Sequence, residues 1–469
     1  MTSTSLTPDA ALAALRAQLG AAAVLTGADV PARNANDWGA HPPQPPIAVL
    51  RPVDAAGVSA AVKACAAAGL KLVPQGGLTG LCAGARPEVG WVALSLERMV
   101  GIDEIDEASA TMTVRAGTPL ETVQRAADDA GFFFALDLGA RGSCAIGGNL
   151  STNAGGNRVI RYGMARELVL GLEVVLADGT IVTNLNKMLK NNAGYDWKQL
   201  FIGAEGTLGI ITRIVLRLHP KPGCTVSALV AVPDYAAVLK LLAGARRGLG
   251  PLLSAFEVMW PNYWQVVTQQ MKVRCPLAAG EGAIHVLIEA QGTDEAIDAP
   301  RVEAWLEQQL GEGVIVDAAL ARSIADGKAF WALRDACADF IPVLGPHVSY
   351  DIGLPVKAMD DYVRASTRAL DARMPGCRVL HYGHVGDGNL HMVVWVPGLP
   401  LAQQPKDTMD EVLYGLVREM GGTVSAEHGI GTAKKRWLGH ARSEAEIALM
   451  RRLKAALDPQ GVLNPGKVL

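Results

Sequence analysis

The chain has 469 residues, of which half are hydrophobic and 19% charged, and its formal net charge is -3. This length exceeds what one compact core buries, so we expect two or three domains and no extensive disorder. The near-neutral charge and the lack of a dense Lys/Arg stripe argue against a nucleic-acid partner. No apolar run is long enough for a membrane span, and the seven cysteines are scattered without a CxxC pair. This pattern predicts reduced thiols and a cytoplasmic location.

From residue 52 to about 217, helical and strand patterns alternate over short distances. The predicted elements are a helix at 55–69, strands at 71–74 and 110–115, a helix at 119–130, two strands within 167–182 and a strand at 209–218. The turn Ala177-Asp178-Gly179 joins the paired strands, because Asp-Gly is a strong hairpin signal. The Pro/Gly cluster at 219–223 marks the first domain boundary.

Beyond this boundary, strands alternate with longer helices. The predicted strands are 284–290 and 392–396, and the predicted helices are 294–310, 321–340, 356–373 and 443–457. This order favours an α+β domain with a mainly antiparallel sheet.

Three segments of the first half are unusually rich in glycine: 74–81 (PQGGLTGL), 139–163 and 203–209 (GAEGTLG). Adjacent glycines after a short strand let backbone amides face inward, which is a geometry that binds phosphate. None of the segments is a Walker loop or a GxGxxG that opens a βαβ unit, so a Rossmann site is not supported. One such segment could be a simple turn, but three together indicate a large ligand that the backbone approaches closely.

Four of the nine histidines lie in two short segments, 381–391 (HYGHVGDGNLH) and 425–431 (SAEHGIG). His384 and His391 flank a glycine-rich turn, so their side chains could converge. With a carboxylate such as Glu427 they would form a three-ligand metal site with an open position. The same donors serve zinc, iron and manganese. The alternative is that these histidines only hydrogen-bond to the backbone near a turn.

The segments PQGGLTGL, GGNLSTNAGGNRVIRYG, GAEGTLGI, HVGDGNLH and EHGIG resemble those of the vanillyl-alcohol-oxidase/PCMH flavoprotein superfamily. The group most similar is that of D-lactate, D-2-hydroxyglutarate and glycolate dehydrogenases, which carry an FAD-linked oxidase C-terminal domain. The similarity extends from about residue 45 to the C-terminus. It implies an α+β fold with a PCMH-type FAD-binding domain at 1–222 (core about 45–222), a substrate domain with a mainly antiparallel sheet at 223–421, and a segment at 422–469 that returns to the FAD domain.

The resemblance also implies which residues bind FAD. Residues 74–81 would cradle the pyrophosphate, 139–163 would line the flavin and adenine, and 205–210 would complete the site. The implied cofactor-binding residues are Pro74, Gln75, Gly76, Gly77, Leu78, Thr79, Gly80, Gly139, Ser143, Gly147, Gly148, Thr152, Asn153, Gly156, Gly163, Glu205, Gly209, Ile210 and Asn464. No histidine lies in these segments where some relatives attach flavin covalently, so we expect non-covalent FAD.

For the chemistry, the resemblance implies His384, His391 and Glu427 as metal ligands and His428 as the base. Zinc is the first choice of metal, and manganese and iron are the alternatives. Arg334 would bind the substrate carboxylate, with Asn389 as a further substrate-binding residue. From the sequence alone, Arg334 would be a solvent-facing charge on a helix. The implied reaction is metal-assisted proton abstraction from a D-2-hydroxy acid with hydride transfer to flavin, giving the 2-oxo acid.

Three positions bear on the substrate. Where hydroxyglutarate-specific members hold a second carboxylate with threonine, lysine and asparagine, this chain has Ala338, Ser349 and Val393. A second carboxylate without those donors would be buried unpaired at a high cost in free energy. We therefore expect a substrate with a short or apolar side chain, such as D-lactate or D-2-hydroxybutyrate.

Several alternatives stay open. The chain could be a D-2-hydroxyglutarate dehydrogenase or a glycolate oxidase subunit. It could also be a non-redox flavoprotein resembling the alkylglycerone-phosphate synthases, although the adjacent histidines of those enzymes are absent. A hydrolase that uses only the metal would not need three glycine-rich segments. The external electron acceptor could be electron-transfer flavoprotein, a quinone or a cytochrome, and a homodimer is an open alternative.

Overall fold

The computed structural model describes residues 7–39, 41–278 and 282–469, so the first six residues of the predicted FAD domain lie outside it. The chain divides into two compact units. The first unit comprises Met1–Gly155, Met164–Lys221 and Glu427–Leu469, and the second comprises Gly156–Gly163 and Pro222–Ala426. No helix within the described ranges has the length and apolar character needed to cross a membrane.

The strands of the described residues are two to nine residues long. They are β1 Val24–Thr26, β2 Ala48–Leu50, β3 Leu72–Gln75, β4 Val92–Ser95, β5 Ile102–Asp106, β6 Thr111–Arg115, β7 Phe132–Phe133, β8 Val169–Val175, β9 Ile181–Asn184, β10 Ile210–Arg217, β11 His219–Pro220, β12 Cys224–Val232, β13 Leu253–Met259, β14 Ile284–Gly292, β15 Asp317–Leu320, β16 Val348–Gly353, β17 Arg378–Gly383 and β18 Asn389–Trp395.

The α-helices range from one turn to 17 residues. They are α1 Pro8–Leu19, α2 Ala55–Ala67, α3 Leu120–Asp129, α4 Ile146–Ser151, α5 Val159–Tyr162, α6 Tyr235–Gly248, α7 Pro261–Gln265, α8 Glu295–Gly311, α9 Ile324–Asp335, α10 Ile341–Leu344, α11 Met359–Arg373, α12 Lys406–Glu419 and α13 Glu444–Leu457.

The first unit contains two main sheets. One has the order β1-β2-β4-β3, in which β2, β4 and β3 run parallel, and the other has the order β5-β6-β10-β8-β9 and is antiparallel. Helix α2 is capped by Asp54, whose carboxylate accepts a hydrogen bond from the backbone N–H of Gly57 at 2.8 Å. Such N-caps stabilise the first turn of a helix. The glycine-rich segment 74–81 begins at the end of β3.

The second unit is built on a seven-stranded antiparallel sheet with the order β15-β12-β14-β13-β17-β18-β16. Directly paired residues share one face of an antiparallel sheet. Met259 pairs with Tyr382, Tyr382 with His391 and His391 with Asp351, so these four side chains form a row on one face. Glu257 lies on the same face as Met259, two residues earlier in β13. The strand register therefore places Glu257, Tyr382, His391 and Asp351 on the same face of the sheet.

The predicted α+β fold with a mainly antiparallel second sheet is confirmed. Helix 55–69, the strand pair around the Asp-Gly turn and strand 209–218 correspond to α2, β8–β9 and β10. The predicted helix 321–340 is too long. Helix α9 ends at Asp335, a 3₁₀ turn follows, and α10 begins with Pro342 in its first turn, where proline replaces an N–H that has no helical partner.

Candidate active site

Two of the three glycine-rich segments touch each other through their backbones. A Cβ atom on Gly77 would lie 2.0 Å from the carbonyl oxygen of Ser143 and 2.8 Å from Cα of Cys144. A Cβ on Gly147 would lie 2.7 Å from Cβ of Ala116. Only glycine permits such approaches. The glycines at 77 and 147 therefore allow close packing of the chain, which the sequence pattern alone could not distinguish from ligand contact.

Other glycines of the same segments border open space. A Cβ added to Gly139 or to Gly148 would meet nothing within 4 Å. Elsewhere in the first unit, Asn464 donates from Nδ2 to the carbonyl oxygens of Gly84 and Glu205, each at 2.9 Å. The Oδ1 atom of Asn464 is buried and has no hydrogen-bond partner among the described residues. A ligand that donates a hydrogen bond would give this oxygen a partner, so the surroundings of Asn464 are suited to a polar cofactor.

The remaining implied FAD-binding residues of the first unit also lie in these segments. Pro74 and Gln75 end β3, and Gly76 to Gly80 follow it, with Leu78 at φ +61°. Ser143 is exposed, Gly147 and Gly148 lie in α4, and Thr152 and Asn153 follow α4. Gly209 and Ile210 lead into β10. The side chain of Gln75 is held by Asn34 at 2.7 Å. Asn153 accepts a hydrogen bond from the backbone N–H of Arg166 at 3.0 Å.

Two of the implied FAD-binding residues lie at the ends of a short segment that belongs to the second unit. They are Gly156 (φ +86°) and Gly163 (φ +78°). Within it, Arg158 Nε lies 3.0 Å from Oε1 of Glu289, and the Tyr162 hydroxyl donates to Oε1 of Gln291 at 2.9 Å. Nothing in the glycine pattern predicted this attachment, because its partners are about 130 residues away along the chain.

A buried triad of charged and polar groups lies in the second unit. Glu257 accepts a hydrogen bond from Nε of Arg334 at Oε2 and contacts Nδ1 of His384 through Oε1, both at 2.6 Å. Nη2 of Arg334 lies 3.3 Å from Nε2 of His384. The side chains of Glu257, His384 and Arg334 are 1%, 5% and 6% exposed. Arg334 is therefore not a solvent-facing helix charge, as its position in the sequence alone would suggest.

The electrostatics of this triad favour the charged forms of Glu257 and Arg334. Burial by itself would raise the pKa of the Glu257 carboxyl, but the neighbouring His384 and Arg334 lower that pKa to about 2. Burial opposes the charge of Arg334, yet the carboxylate of Glu257 raises its pKa well above the usual range. The Tyr382 ring lies 5.0 Å from the guanidinium carbon and adds a cation–π contact. A carboxylate and a guanidinium thus stay ionised inside the second unit.

His391 lies beside this triad. The ring centroids of His384 and His391 are 5.1 Å apart, and the rings are almost perpendicular. Nδ1 of His391 is 4.0 Å from Oδ1 of Asp351. Asn389 donates to that same carboxylate at 2.9 Å and to the carbonyl oxygen of Ile352 at 3.1 Å. The structure therefore brings the two predicted histidine ligands together and gives the amide of Asn389 a role in holding Asp351.

Asp351 also fixes the chain that leads to the last predicted ligand. Its Oδ2 accepts hydrogen bonds from the Ser425 hydroxyl at 2.9 Å and from the backbone N–H of Ala426 at 3.1 Å. Glu427 follows Ala426 directly and belongs to the first unit. There, Nε2 of His428 lies 3.9 Å from Oε1 of Glu427. The Asp351–His391 pair and the Glu427–His428 pair each place metal-binding atoms within 4.8 Å of one another.

Glu257 and Asp351 were not among the predicted site residues. A signal for Glu257 exists, since it is the one charged residue in the mainly apolar strand LSAFEVM. Asp351 is likewise the one charged residue of β16 and is fully buried. Buried carboxylates in strands require partners, so such positions are informative even without an alignment.

The positions expected to select the substrate differ in exposure. Ala338 and Ser349 are exposed, whereas Val393 is buried and belongs to an apolar cluster with Leu333, Tyr382 and Trp395. Ser349 pairs with Val393 across the sheet. No donor for a second carboxylate stands at these three positions except the Ser349 hydroxyl.

Comparison with known proteins identifies the family. Residues 46–184 match the FAD binding domain, and residues 221–468 match the FAD linked oxidases, C-terminal domain. The chain is 39% identical to D-2-hydroxyglutarate dehydrogenase, mitochondrial, of Rattus norvegicus over 90% of this chain and 78% of that protein. It is 37% identical to D-2-hydroxyglutarate dehydrogenase of Xanthomonas citri pv. viticola, covering 92% and 91%. It is 36% identical to a putative mitochondrial D-lactate dehydrogenase of Schizosaccharomyces pombe, covering 89% and 81%.

Solved structures show the same fold at low identity. p-Cresol methylhydroxylase with substrate bound superposes with a TM-score of 0.79 at 17% identity, covering 98% of this chain and 96% of that one. An alkyldihydroxyacetonephosphate synthase gives 0.73 at 15% identity, covering 97% and 84%. The expected PCMH-type fold is confirmed. The chain is an FAD-dependent oxidoreductase that belongs to the FAD-linked oxidase family of D-2-hydroxyglutarate and D-lactate dehydrogenases.

Proposed function

We propose that this protein oxidises a D-2-hydroxy acid to the 2-oxo acid, and that D-2-hydroxyglutarate is the first substrate to test. The observation that carries the proposal is the buried guanidinium of Arg334, held by Glu257 and next to His384. Buried arginines in planar, bidentate geometry are suited to carboxylates. Support for the substrate comes from the relatives that share 37–40% identity with this chain and are named D-2-hydroxyglutarate dehydrogenases.

Arg334 is proposed to bind the C1 carboxylate of the substrate. His428 is proposed to remove the hydroxyl proton, because a neutral imidazole accepts protons near pH 7. Oε1 of its neighbour Glu427 lies 3.9 Å from Nε2 of His428. Bound FAD supplies the acceptor for the hydride. The glycine-rich segments and Asn464 of the first unit are proposed to hold that cofactor.

A divalent metal is the second proposed cofactor, with zinc first and manganese or iron as alternatives. His384, His391 and Glu427 offer two imidazoles and a carboxylate, a donor set that these metals accept. The contact of His384 Nδ1 with Glu257 supports this role, since metal-bound histidines commonly give their second nitrogen to a carboxylate. When bound, the metal would lower the pKa of the substrate hydroxyl.

A second candidate substrate is a short monocarboxylate such as D-lactate or D-2-hydroxybutyrate. Val393 lies in the apolar cluster with 2% exposure, and Ala338 has no polar side-chain atom. A second substrate carboxylate at these positions would lack the donors expected of hydroxyglutarate-specific enzymes, and an unpaired carboxylate beside the buried Val393 is disfavoured.

Anaerobic reduction of the flavin tests the proposal. The purified holoenzyme is mixed separately with D-2-hydroxyglutarate, D-lactate and L-lactate, and the flavin absorbance near about 450 nm is followed. Bleaching by a D-2-hydroxy acid but not by L-lactate is expected, and the faster D-acid identifies the substrate. A colourless protein, or one that no hydroxy acid bleaches, would contradict the proposal. Steady-state assays with electron-transfer flavoprotein, quinone and cytochrome then identify the electron acceptor.

A further inference from the structure

We propose that Glu257 is a positioning residue that couples metal binding by His384 to substrate binding by Arg334. This inference rests on the proposed function, because it concerns how two groups of the same site are set. Nothing in the sequence pattern assigned Glu257 a role. Its two carboxylate oxygens contact two different functional side chains, Oε2 to Arg334 Nε and Oε1 to His384 Nδ1, both at 2.6 Å.

The contact with Glu257 fixes the tautomer of His384. A carboxylate can only accept hydrogen bonds, so Nδ1 of His384 must carry the proton that points at Oε1. In the neutral ring, Nε2 then carries the lone pair, which is the atom that binds a metal. Glu257 itself has little freedom, because β13 is a central strand and its side chain is only 1% exposed.

Arg334 uses the lone pair that a metal would need. Its Nη2 lies 3.3 Å from Nε2 of His384 and can donate a hydrogen bond to it. One lone pair cannot serve both an N–H donor and a cation. Metal binding at His384 therefore releases the Nη2 donor of Arg334, whereas its Nε stays bound to Glu257 and its guanidinium stays over Tyr382. The released donor is then available for a substrate carboxylate.

Two consequences follow from this shared geometry. Metal and substrate should bind with positive coupling, since each removes the Arg334–His384 contact that competes with the other. Replacing Glu257 should weaken both at once. In Glu257→Gln the side chain keeps its volume, but one acceptor oxygen becomes an NH₂ group that faces either Arg334 Nε or His384 Nδ1 as a second donor.

The experiment uses the full-length holoenzyme and Zn²⁺ as the probe. Zinc affinity is measured by equilibrium dialysis and metal analysis for the wild type, Glu257→Gln, Glu257→Asp and Arg334→Lys, and kcat and KM are measured for the best hydroxy acid. Asp410→Asn is the matched control. Asp410 is also a buried carboxylate of the second unit, bonded to Tyr350 at 2.7 Å and Lys406 at 2.6 Å.

The expected result is a loss of zinc affinity of about ten- to a hundred-fold in Glu257→Gln, with KM raised more than kcat is lowered. Glu257→Asp, which keeps the charge, should fold if Glu257→Gln does not, and should show the same loss more weakly. Arg334→Lys should bind zinc at least as tightly as the wild type while KM rises, because lysine cannot hold Glu257 and reach His384 together. If Glu257 only stabilised the fold, zinc affinity would not fall in the Glu257 variants while it is kept or raised in Arg334→Lys.

Unchanged zinc affinity in both Glu257 variants, or an equal loss in Asp410→Asn, would overturn the inference. A wild-type enzyme that is reduced by a hydroxy acid and binds zinc, with these variants unaffected, would leave the proposed function standing and reject the role of Glu257. A wild-type enzyme that is neither reduced by any hydroxy acid nor able to bind zinc would reject both.

Discussion

Glu205 accepts a hydrogen bond from the backbone N–H of Ile430 at 2.7 Å, across 225 residues of sequence. Its other oxygen accepts from the N–H of Gly431 at 2.8 Å. Glu205 lies in a glycine-rich segment at φ +51°, and Ile430 lies two residues after His428. One carboxylate thus fixes the backbone next to the proposed base, even though burial raises the pKa of the Glu205 carboxyl.

Glu205→Ala should therefore impair catalysis through the position of His428. We expect kcat to fall at least about tenfold and stability to fall by about 2 kcal/mol, because two partly buried N–H groups lose their side-chain acceptor. Steady-state kinetics at matched flavin content and thermal unfolding measure both effects. Glu173→Gln is the control, as Glu173 is a buried carboxylate of the same unit that bonds to Thr212 at 3.0 Å. Equal losses of kcat in the two variants would contradict the anchoring role of Glu205.

Gly77→Ala should lower FAD binding. The new methyl carbon would lie 2.0 Å from the carbonyl oxygen of Ser143, so segments 74–81 and 139–163 must separate. We expect a flavin-to-protein ratio well below that of the wild type and release of FAD on gel filtration. Gly415→Ala in α12 is the control, since its methyl group would meet nothing within 4 Å and alanine favours a helix by up to about 1 kcal/mol. Full flavin content in Gly77→Ala would show that the two segments can separate without harm.

The elements that could be predicted are those whose pattern is local. Helix α2 buries Val58, Ala61, Val62 and Cys65 and has Asp54 as its cap, and β8 and β9 are separated by an Asp-Gly turn. These signals lie within a few residues of the element that they define. The end of α9 was misplaced because apolar residues continue through the 3₁₀ turn Ala336–Asp339 into α10.

Site residues were predicted only where a sequence motif resembled that of a known family. His384 and His391 lie seven residues apart in one hairpin, so a short segment contains both. Glu257 contacts Arg334 and His384 from 77 and 127 residues away, and no local pattern reports such contacts. Arg334 itself occupies a helix position that reads as exposed, and its burial depends on the sheet that packs against it. Long-range strand register, which the sequence does not display, decides these cases.

Acid should destabilise the protein partly through His381. Burial lowers the pKa of this imidazole to about 3, and its nitrogens contact Asn262 Nδ2 at 3.1 Å and the Ser366 hydroxyl at 3.2 Å. The unfolded chain binds a proton at about pH 6.5 and the folded protein does not, so stability falls as the pH drops from about 6.5 toward 3. The slope from this one group approaches about 1.4 kcal/mol per pH unit.

His381→Gln should remove that part of the acid loss. We expect the variant to be less stable than the wild type at pH 7.5, with the difference shrinking as the pH falls to 5. Urea midpoints at several pH values measure this change, and His347→Gln is the control because His347 lies just before β16 and is only partly buried. A difference between variant and wild type that stays constant with pH would contradict a neutral buried His381.

Ser349→Lys should raise the preference for D-2-hydroxyglutarate. Ser349 is exposed, so the substitution costs little stability, and it pairs across the sheet with Val393, two residues from His391. A lysine there would offer a cation to a second substrate carboxylate and would give D-lactate nothing to bind. We expect kcat/KM for D-2-hydroxyglutarate to rise about tenfold relative to D-lactate, a gain of about 1.4 kcal/mol. Ser349→Met, similar in length without the charge, should leave the ratio unchanged. If the two variants shift the ratio equally, the side-chain length and not the charge at this position selects the substrate.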